Sequence, residues 1–191
     1  MRMIFGIDPG VRGGIALMVD DVRAAHICAW QMPTMKSTTS TGRTRTSSDL
    51  KALRQMLGAP IIQARTQGMK PNVVVYLESQ QAMARSVGGV SVPQGMVQCF
   101  SLGREFGRVE ALVVGLGIAL KYVHPKRWQN VILGQIAHGT SKEQSIIVAR
   151  NLFPHVSLKP TKACGKDSDG IADALLIAEY GRRELGTTGI E

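Results

Sequence analysis

The stretch Ile4-Phe5-Gly6-Ile7-Asp8-Pro9-Gly10-Val11-Arg12-Gly13-Gly14-Ile15-Ala16-Leu17-Met18-Val19 decides the fold. Two apolar runs, Ile4 to Ile7 and Gly14 to Val19, are joined by a glycine-rich connection, the pattern of a β-hairpin. Asp20-Asp21 marks the next turn, and His26 to Gln31 forms a third strand. Further on, Asn72 to Glu78 contains Val73-Val74-Val75-Tyr76-Leu77. A continuous β-branched run of this kind suits a central strand covered on both faces.

Between and after these strands the spacing turns helical. Leu50, Leu53 and Leu57 recur at helical intervals behind Ser48 or Asp49 as cap, and Pro60 is expected to kink or split that helix. A helix follows from Met96 to Gly117, with Phe100 and Phe106 on an apolar stripe expected to face the core. Lys121 to His124 forms a short strand, and Pro125 starts the helix that carries Trp128, a side chain expected to anchor it in the core. Thr140 or Ser141 caps the next helix, with Glu143 or Gln144 as capping-box partner. Pro154 and Pro160 bound a basic loop, and Asp167 to Leu185 is the last helix. Thr34 to Ser48, rich in Ser, Thr, Arg and Gly without periodicity, is expected to be a mobile loop, and Ser79 to Gln94 a second flexible stretch. The order βββ-α-β-α-β-α-α is what an α/β mixed sheet with helices on both faces requires.

Composition narrows the class. With 191 residues, 44% hydrophobic and 19% charged, the chain suits one α/β domain spanning 1–191. No apolar run approaches the ~20 residues that span a bilayer, and the N-terminus lacks the form of a signal peptide. The expectation is a soluble intracellular protein of the cytoplasm or nucleoid, or of an organelle matrix. The scattered Cys28, Cys99 and Cys164 and the dispersed histidines form no zinc pattern, so a bound metal would be held by carboxylate oxygen. Lys and Arg number 23 against 14 Asp and Glu, a net charge of +9. Asp49 is the only acid between Arg23 and Leu77, and Glu143 the only one between Ala111 and Lys166. Extended basic surface of this kind faces a polyanion.

Three acids stand where a fold would not put them without cause. Asp8 and Glu78 each end a strand, and Asp173 lies inside the apolar helical run Ile171-Ala172-Asp173-Ala174-Leu175-Leu176-Ile177-Ala178. A lone carboxylate among such residues is expensive to bury unless it is paired or bound to a cation. Asp169 lies one helical turn before Asp173, on the same side. Each acid alone has an ordinary explanation: Asp8 capping a turn, Asp169 capping the helix, Glu78 pairing with an arginine. Together they form a set able to surround two divalent cations, which activate a water and stabilise the leaving oxygen of a phosphodiester.

Asp8 within Gly6-Ile7-Asp8-Pro9-Gly10, Glu78 at a strand end and Ala172-Asp173-Ala174-Leu175 in the last helix resemble the RuvC family of Holliday junction resolvases. The resemblance extends through Leu102 to Gly107, Pro125 to Trp128 and, most specifically, Asp169 to Gly181, and it is nearest to the phage and chloroplast branch. It implies a ribonuclease H-like fold: a mixed five-stranded sheet, three antiparallel strands then parallel strands, flanked by helices. It implies a homodimer that nicks opposing strands of four-way junction DNA symmetrically, using Mg²⁺, with Mn²⁺ able to substitute and two ions per active site. Asp8, Glu78 and Asp173 match the metal-binding, catalytic carboxylates. For the fourth, bacterial members place the acid three residues before the last, which here is Gly170. The chloroplast-like spacing of four selects Asp169, with Asp167 as fallback.

Candidate DNA contacts are Gln80 and Gln81, which can hydrogen-bond base edges, and the cations Arg85, Arg104, Lys126, Arg127 and Lys166. The helix bearing Arg104 and Arg108 is the candidate dimer seam. Three rivals stand beside this reading. One is a ribonuclease H-like nuclease acting on RNA or on RNA–DNA hybrid. Another is a catalytically inactive nucleic-acid-binding relative, against which the intact acid set argues. The third is an actin-like ATPase or sugar kinase, which needs two domains and more residues than are present.

Overall fold

Every residue from Met3 to Ile7 is buried, so the first strand must be covered on both faces. In the computed structural model, which describes residues 1–20, 26–38, 40, 42–80, 85–87, 90–92, 95–134, 140–161 and 163–187, it is the middle strand of the main sheet. That sheet comprises β1 (Arg2–Asp8), β2 (Gly14–Asp20), β3 (His26–Gln31), β6 (Asn72–Glu78) and β9 (Ala119–Val123) in the order β3-β2-β1-β6-β9. The β1–β2 and β2–β3 pairs are antiparallel, while β1–β6 and β6–β9 are parallel. This is the expected mixed five-stranded sheet, three antiparallel strands followed by parallel ones and flanked by helices.

Side chains alternate across the sheet and feed two cores. Met3, Phe5, Ile7, Ile15, Leu17, Val75 and Leu77 pack against α1 (Leu50–Thr66) and α2 (Met96–Gly115). Ile4, Ala16, Met18, Val74 and Tyr76 face α3 (Pro125–Ile132), α4 (Ser141–Leu152) and α5 (Asp169–Thr187). The caps follow sequence logic. Asp49 accepts from the Lys51 and Ala52 amides at the start of α1, and Thr140 with Glu143 closes a capping box on α4.

Four expectations are corrected. Thr34 to Ser48 is not a structureless loop: it forms an antiparallel ribbon of β4 (Thr34–Thr38) and β5 (Thr44–Ser48), separate from the main sheet. Both faces of this ribbon are polar, so no hydrophobic alternation announces it, while β-branched threonines favour the extended backbone. Ser79 to Gln94 likewise contains a short pair, β7 (Arg85–Val87) with β8 (Val90–Val92). Pro60 does not split α1, which runs unbroken past it. The buried stripe Leu53, Leu57, Ile61 and Ala64 continues across the proline and holds the helix together. Phe100 is 69% exposed rather than core, because α2 is covered only from Glu105 onward, whereas Phe106 packs against the core as expected.

The closest packing is between α5 and the first hairpin. A Cβ placed on Gly6 would lie 3.0 Å from the Ala178 Cα, one on Gly14 2.8 Å from the Ile171 Cα, and one on Gly170 2.6 Å from the Gly13 Cα. Backbone atoms cannot yield as a side-chain tip can. Gly14→Ala and Gly170→Ala are therefore expected to destabilise the fold by about 1–3 kcal/mol or more. Gly103→Ala, in α2 with open space around the new methyl, should be neutral or stabilising by up to about 1 kcal/mol. Urea denaturation of the three variants checks the contrast.

Candidate active site

β1 and β6 run parallel and in register, Ile7 opposite Leu77, so the residues that end them, Asp8 and Glu78, emerge side by side at one edge of the sheet. Gly14 pairs with Asp8 from β2, and Val123 pairs with Glu78 from β9. The turn after β1 is tight: Gly13 N–H bonds the Gly10 carbonyl at 2.8 Å, and Gly10 N–H donates to Asp8 Oδ1 at 3.2 Å. Asp8 thus does cap its turn, and its placement at the strand edge is an additional property.

The glycine contacts bring α5 to the same edge. Asp173 is the half-buried acid in a helix whose neighbouring residues, from Gly170 to Gly181, are buried. It lies close enough to Glu78 to act on its ionisation, as does Asp8. Three of the expected carboxylates are therefore brought together. Asp169 opens α5 one turn earlier and is half-buried. The structure also explains the glycine at 170: any side chain there would strike the Arg12–Gly13 backbone, so an acid cannot occupy that position. Asp167 is bound by Arg150, with Nε to Oδ2 at 2.7 Å, between α4 and α5.

Glu78 carries the electrostatic tension of the site. Burial first, then the negative charges of Asp8 and Asp173, push its carboxyl up to about 8, against a hydrogen bond from Trp128 that favours the ionised form. No basic side chain is among the groups that set its ionisation. Trp128 Nε1–H donates to Glu78 Oε1 at 2.8 Å. Trp128 is fully buried, which agrees with a core anchor and leaves no face for stacking on a base. Its role in orienting Glu78 was not foreseen; the available signal was that a buried indole N–H requires an acceptor. A second missed group is Gln31, whose side-chain amide donates to the Arg12 and Gly13 carbonyls at 2.6 Å each. Its Oε1 accepts from Ser168 Oγ at 2.8 Å, directly before α5. Gln31 thus ties the turn that carries Asp8 to the start of the helix that carries Asp173.

Among the described residues, no three Asp, Glu, His or Cys side chains are placed closely enough to enclose an ion as they stand. In kind, the donor set suits a hard divalent cation: carboxylate oxygens of like charge, gathered from two strand ends and a helix. Enclosing an ion would require these side chains to move from the positions they hold.

The expected DNA contacts are placed differently from one another. Gln80 is half-buried two residues beyond Glu78; Gln81 and the side chain of Arg85 lie outside the described residues. Lys126 and Arg127 are exposed on the first turn of α3, beside Trp128, with Arg127 3.8 Å from Glu184. Lys166 is exposed ahead of α5. Arg104 is drawn inward to Glu105 at 2.9 Å, and Arg108 donates to the Ser48 carbonyl, so both engage their own chain. No helix of the described residues is long and apolar enough to cross a membrane.

No protein-family model and no curated protein matches the chain. Among solved structures it is similar to RuvC of Thermus thermophilus at 17% identity, over 97% of each chain, with a TM-score of 0.47. It is also similar to T. thermophilus RuvC in complex with Holliday junction substrate, at 18% identity over 99% of this chain and 97% of that one, TM-score 0.49. The yeast mitochondrial Holliday junction resolvase follows at 12% identity, over 94% of this chain and 77% of that one, TM-score 0.42.

The raised Glu78 carboxyl makes a pH-dependent prediction for the metal-free protein. Its folded value, about 8, lies above the ~4.3 of an unfolded glutamate. Between the two the folded state holds a proton that the unfolded state has lost. Glu78's contribution is thus fully present below the unfolded value and is lost as pH rises through the folded value. Glu78→Gln should melt with wild type near pH 4 and progressively above it towards pH 8 and beyond, as measured by circular dichroism. Identical melting at both ends would contradict the placement of Glu78.

Proposed function

We propose that this protein is a metal-dependent endonuclease that resolves four-way DNA junctions by symmetric phosphodiester hydrolysis. The observation that carries the reading is the meeting of Asp8, Glu78 and Asp173 at one sheet edge, with Glu78's charge opposed by its two neighbours. Such a cluster destabilises the empty fold and is relieved by a cation. The net charge of +9 supports a polyanionic substrate, and the resemblance of the acid-bearing motifs supports the junction.

In this reading Asp8, Glu78, Asp169 and Asp173 hold two Mg²⁺ ions, which Mn²⁺ can replace. When bound, the ions supply Lewis-acid activation of water and neutralise charge on the leaving oxygen. The chain's own contribution is placement. The Gly10 amide holds Asp8, the Trp128 indole holds Glu78, and Gln31 fixes the helix start relative to the turn. Lys126, Arg127 and Lys166 contact phosphates, and Gln80 and Gln81 read base edges next to the cut.

Two matched cuts call for two copies related by a two-fold axis. The start of α2 supports a homodimer: Met96, Val97 and Phe100 are 88%, 82% and 69% exposed along one apolar strip. Covering such a strip with its own copy removes it from water.

Incubation with synthetic four-way junctions, with and without Mg²⁺, beside linear duplex and RNA–DNA hybrid, tests the activity. Metal-dependent cutting confined to hybrid would overturn the junction assignment. Asp8→Asn, Glu78→Gln and Asp173→Asn should each lower cleavage by roughly two orders of magnitude or more, while gel-shift affinity in Ca²⁺ holds or tightens. Asp169→Asn is expected to lose activity too, since Asp167 is engaged by Arg150. For the dimer, Phe100→Asp should sediment as a monomer at micromolar concentration where wild type sediments as a dimer.

A further inference from the structure

The β4–β5 ribbon has no part in either core, yet it is a defined element rooted next to the carboxylates. All of β4 is exposed, and β5 becomes buried only at Ser47 and Ser48, where it rejoins the body. A two-stranded ribbon exposed on both faces is marginal by itself in water, so its hold must lie at the root. There Thr34 pairs with Ser48, and the Asp49 amide bonds the Pro33 carbonyl at 2.8 Å. Buried Glu105 accepts the Ser48 N–H at 2.8 Å and an Arg104 bond at 2.9 Å, and Arg108 donates to the Ser48 carbonyl at 2.8 Å. An ionic clamp on α2 thus fixes the direction of an otherwise solvated arm.

That direction starts at the active edge. Only Met32 and Pro33 separate β3 from β4. Gln31 pairs with Gly14, which pairs with Asp8, and Met32 N–H bonds the Gly13 carbonyl at 3.0 Å. Side-chain alternation gives one face of the ribbon only Thr34, Lys36, Thr38, Thr44 and Thr46 beyond its root. The other presents Met35, Ser37 and Arg45, with Arg43 next to the turn at Gly42. The arm itself carries no acid, and the nearest one along the chain, Asp49, caps α1.

We propose that this ribbon is an arm that grips the phosphate backbone of one duplex arm of the DNA substrate. The proposal rests on the nucleic-acid reading of the site. Hydroxyls and cations without apolar neighbours other than Met35 offer hydrogen bonds and charge to phosphate oxygens and offer little to a protein groove or a lipid surface. A five-residue antiparallel strand is about 17 Å long, the rise of about five phosphates along one DNA strand. A ribbon of two strands is also a shape that the major groove admits.

The test compares wild type with Lys36→Gln/Arg43→Gln/Arg45→Gln and with the charge-conserving Arg43→Lys/Arg45→Lys. Affinity for a four-way junction is read by fluorescence anisotropy in Ca²⁺ over a salt series. The triple variant should bind about tenfold or more weakly near physiological salt, with a log–log salt slope shallower by roughly two to three, since each phosphate contact contributes about 0.9. The lysine variant should keep the wild-type slope. Should the triple variant melt differently from wild type, Lys36→Gln and Arg45→Gln alone carry the measurement, each lowering the slope by about one. A wild-type slope in these variants, or weaker binding with an unchanged slope, overturns the arm and leaves the nuclease reading standing. Absence of DNA binding by wild type overturns both.

Discussion

Helix α5 lies against β1 and β2 at backbone distance, and the site depends on that contact. Gly6 and Gly14 on the strands and Gly170 on the helix leave no room for a methyl group between them. Such proximity sets the helix in one register on the sheet, because sliding it by a residue would drive a side chain into backbone. Asp173 is fixed beside the ends of β1 and β6 as a consequence. The same contact leaves no room for a side chain at 170, while Asp169 opens the helix one turn before Asp173.

The carboxylate edge then works against the stability of the fold that builds it. Asp8 and Asp173 oppose the ionisation of the partly buried Glu78, and the parallel register of β1 with β6 brings the strand ends that carry Asp8 and Glu78 alongside each other. The Gly10 N–H on Asp8 holds that carboxylate in place, and the Trp128 indole on Glu78 holds the arrangement while relieving it only in part. Strain of this sort is common where function requires like charges to share a space. It resides in side chains, whereas the surrounding backbone is regular, without cis peptides and with positive φ confined to glycines among the described residues.

Away from that edge, charge serves a structural purpose. Glu105 is buried yet ionised: burial opposes its charge, and bonds from Ser48 and Arg104, with Arg108 nearby, outweigh it and hold the carboxyl below its ordinary value. Removing one partner of such a cluster leaves a buried charge exposed to the full desolvation penalty. The cluster joins α2 to the ribbon root, so two arginines of a basic chain are directed inward while the cations of α3 and the ribbon remain at the surface.

The sequence by itself determined the succession of the main strands and helices along the chain, the positions of Asp8 and Glu78 at strand ends and of Asp173 in the last helix. Those follow from local rules, since apolar periodicity sets element type and a lone carboxylate in an apolar run is too costly to be accidental. It did not reveal the ribbon, because a strand polar on both faces has no hydrophobic alternation, nor the exposure of Phe100, because an apolar stripe does not say which of its turns will be covered. Only the tertiary structure decided that Trp128 would hold Glu78 from 50 residues away and that Gln31 would reach Ser168 across 137. A hydrogen-bond partner is chosen by which surfaces pack together, and no spacing along the chain encodes that choice.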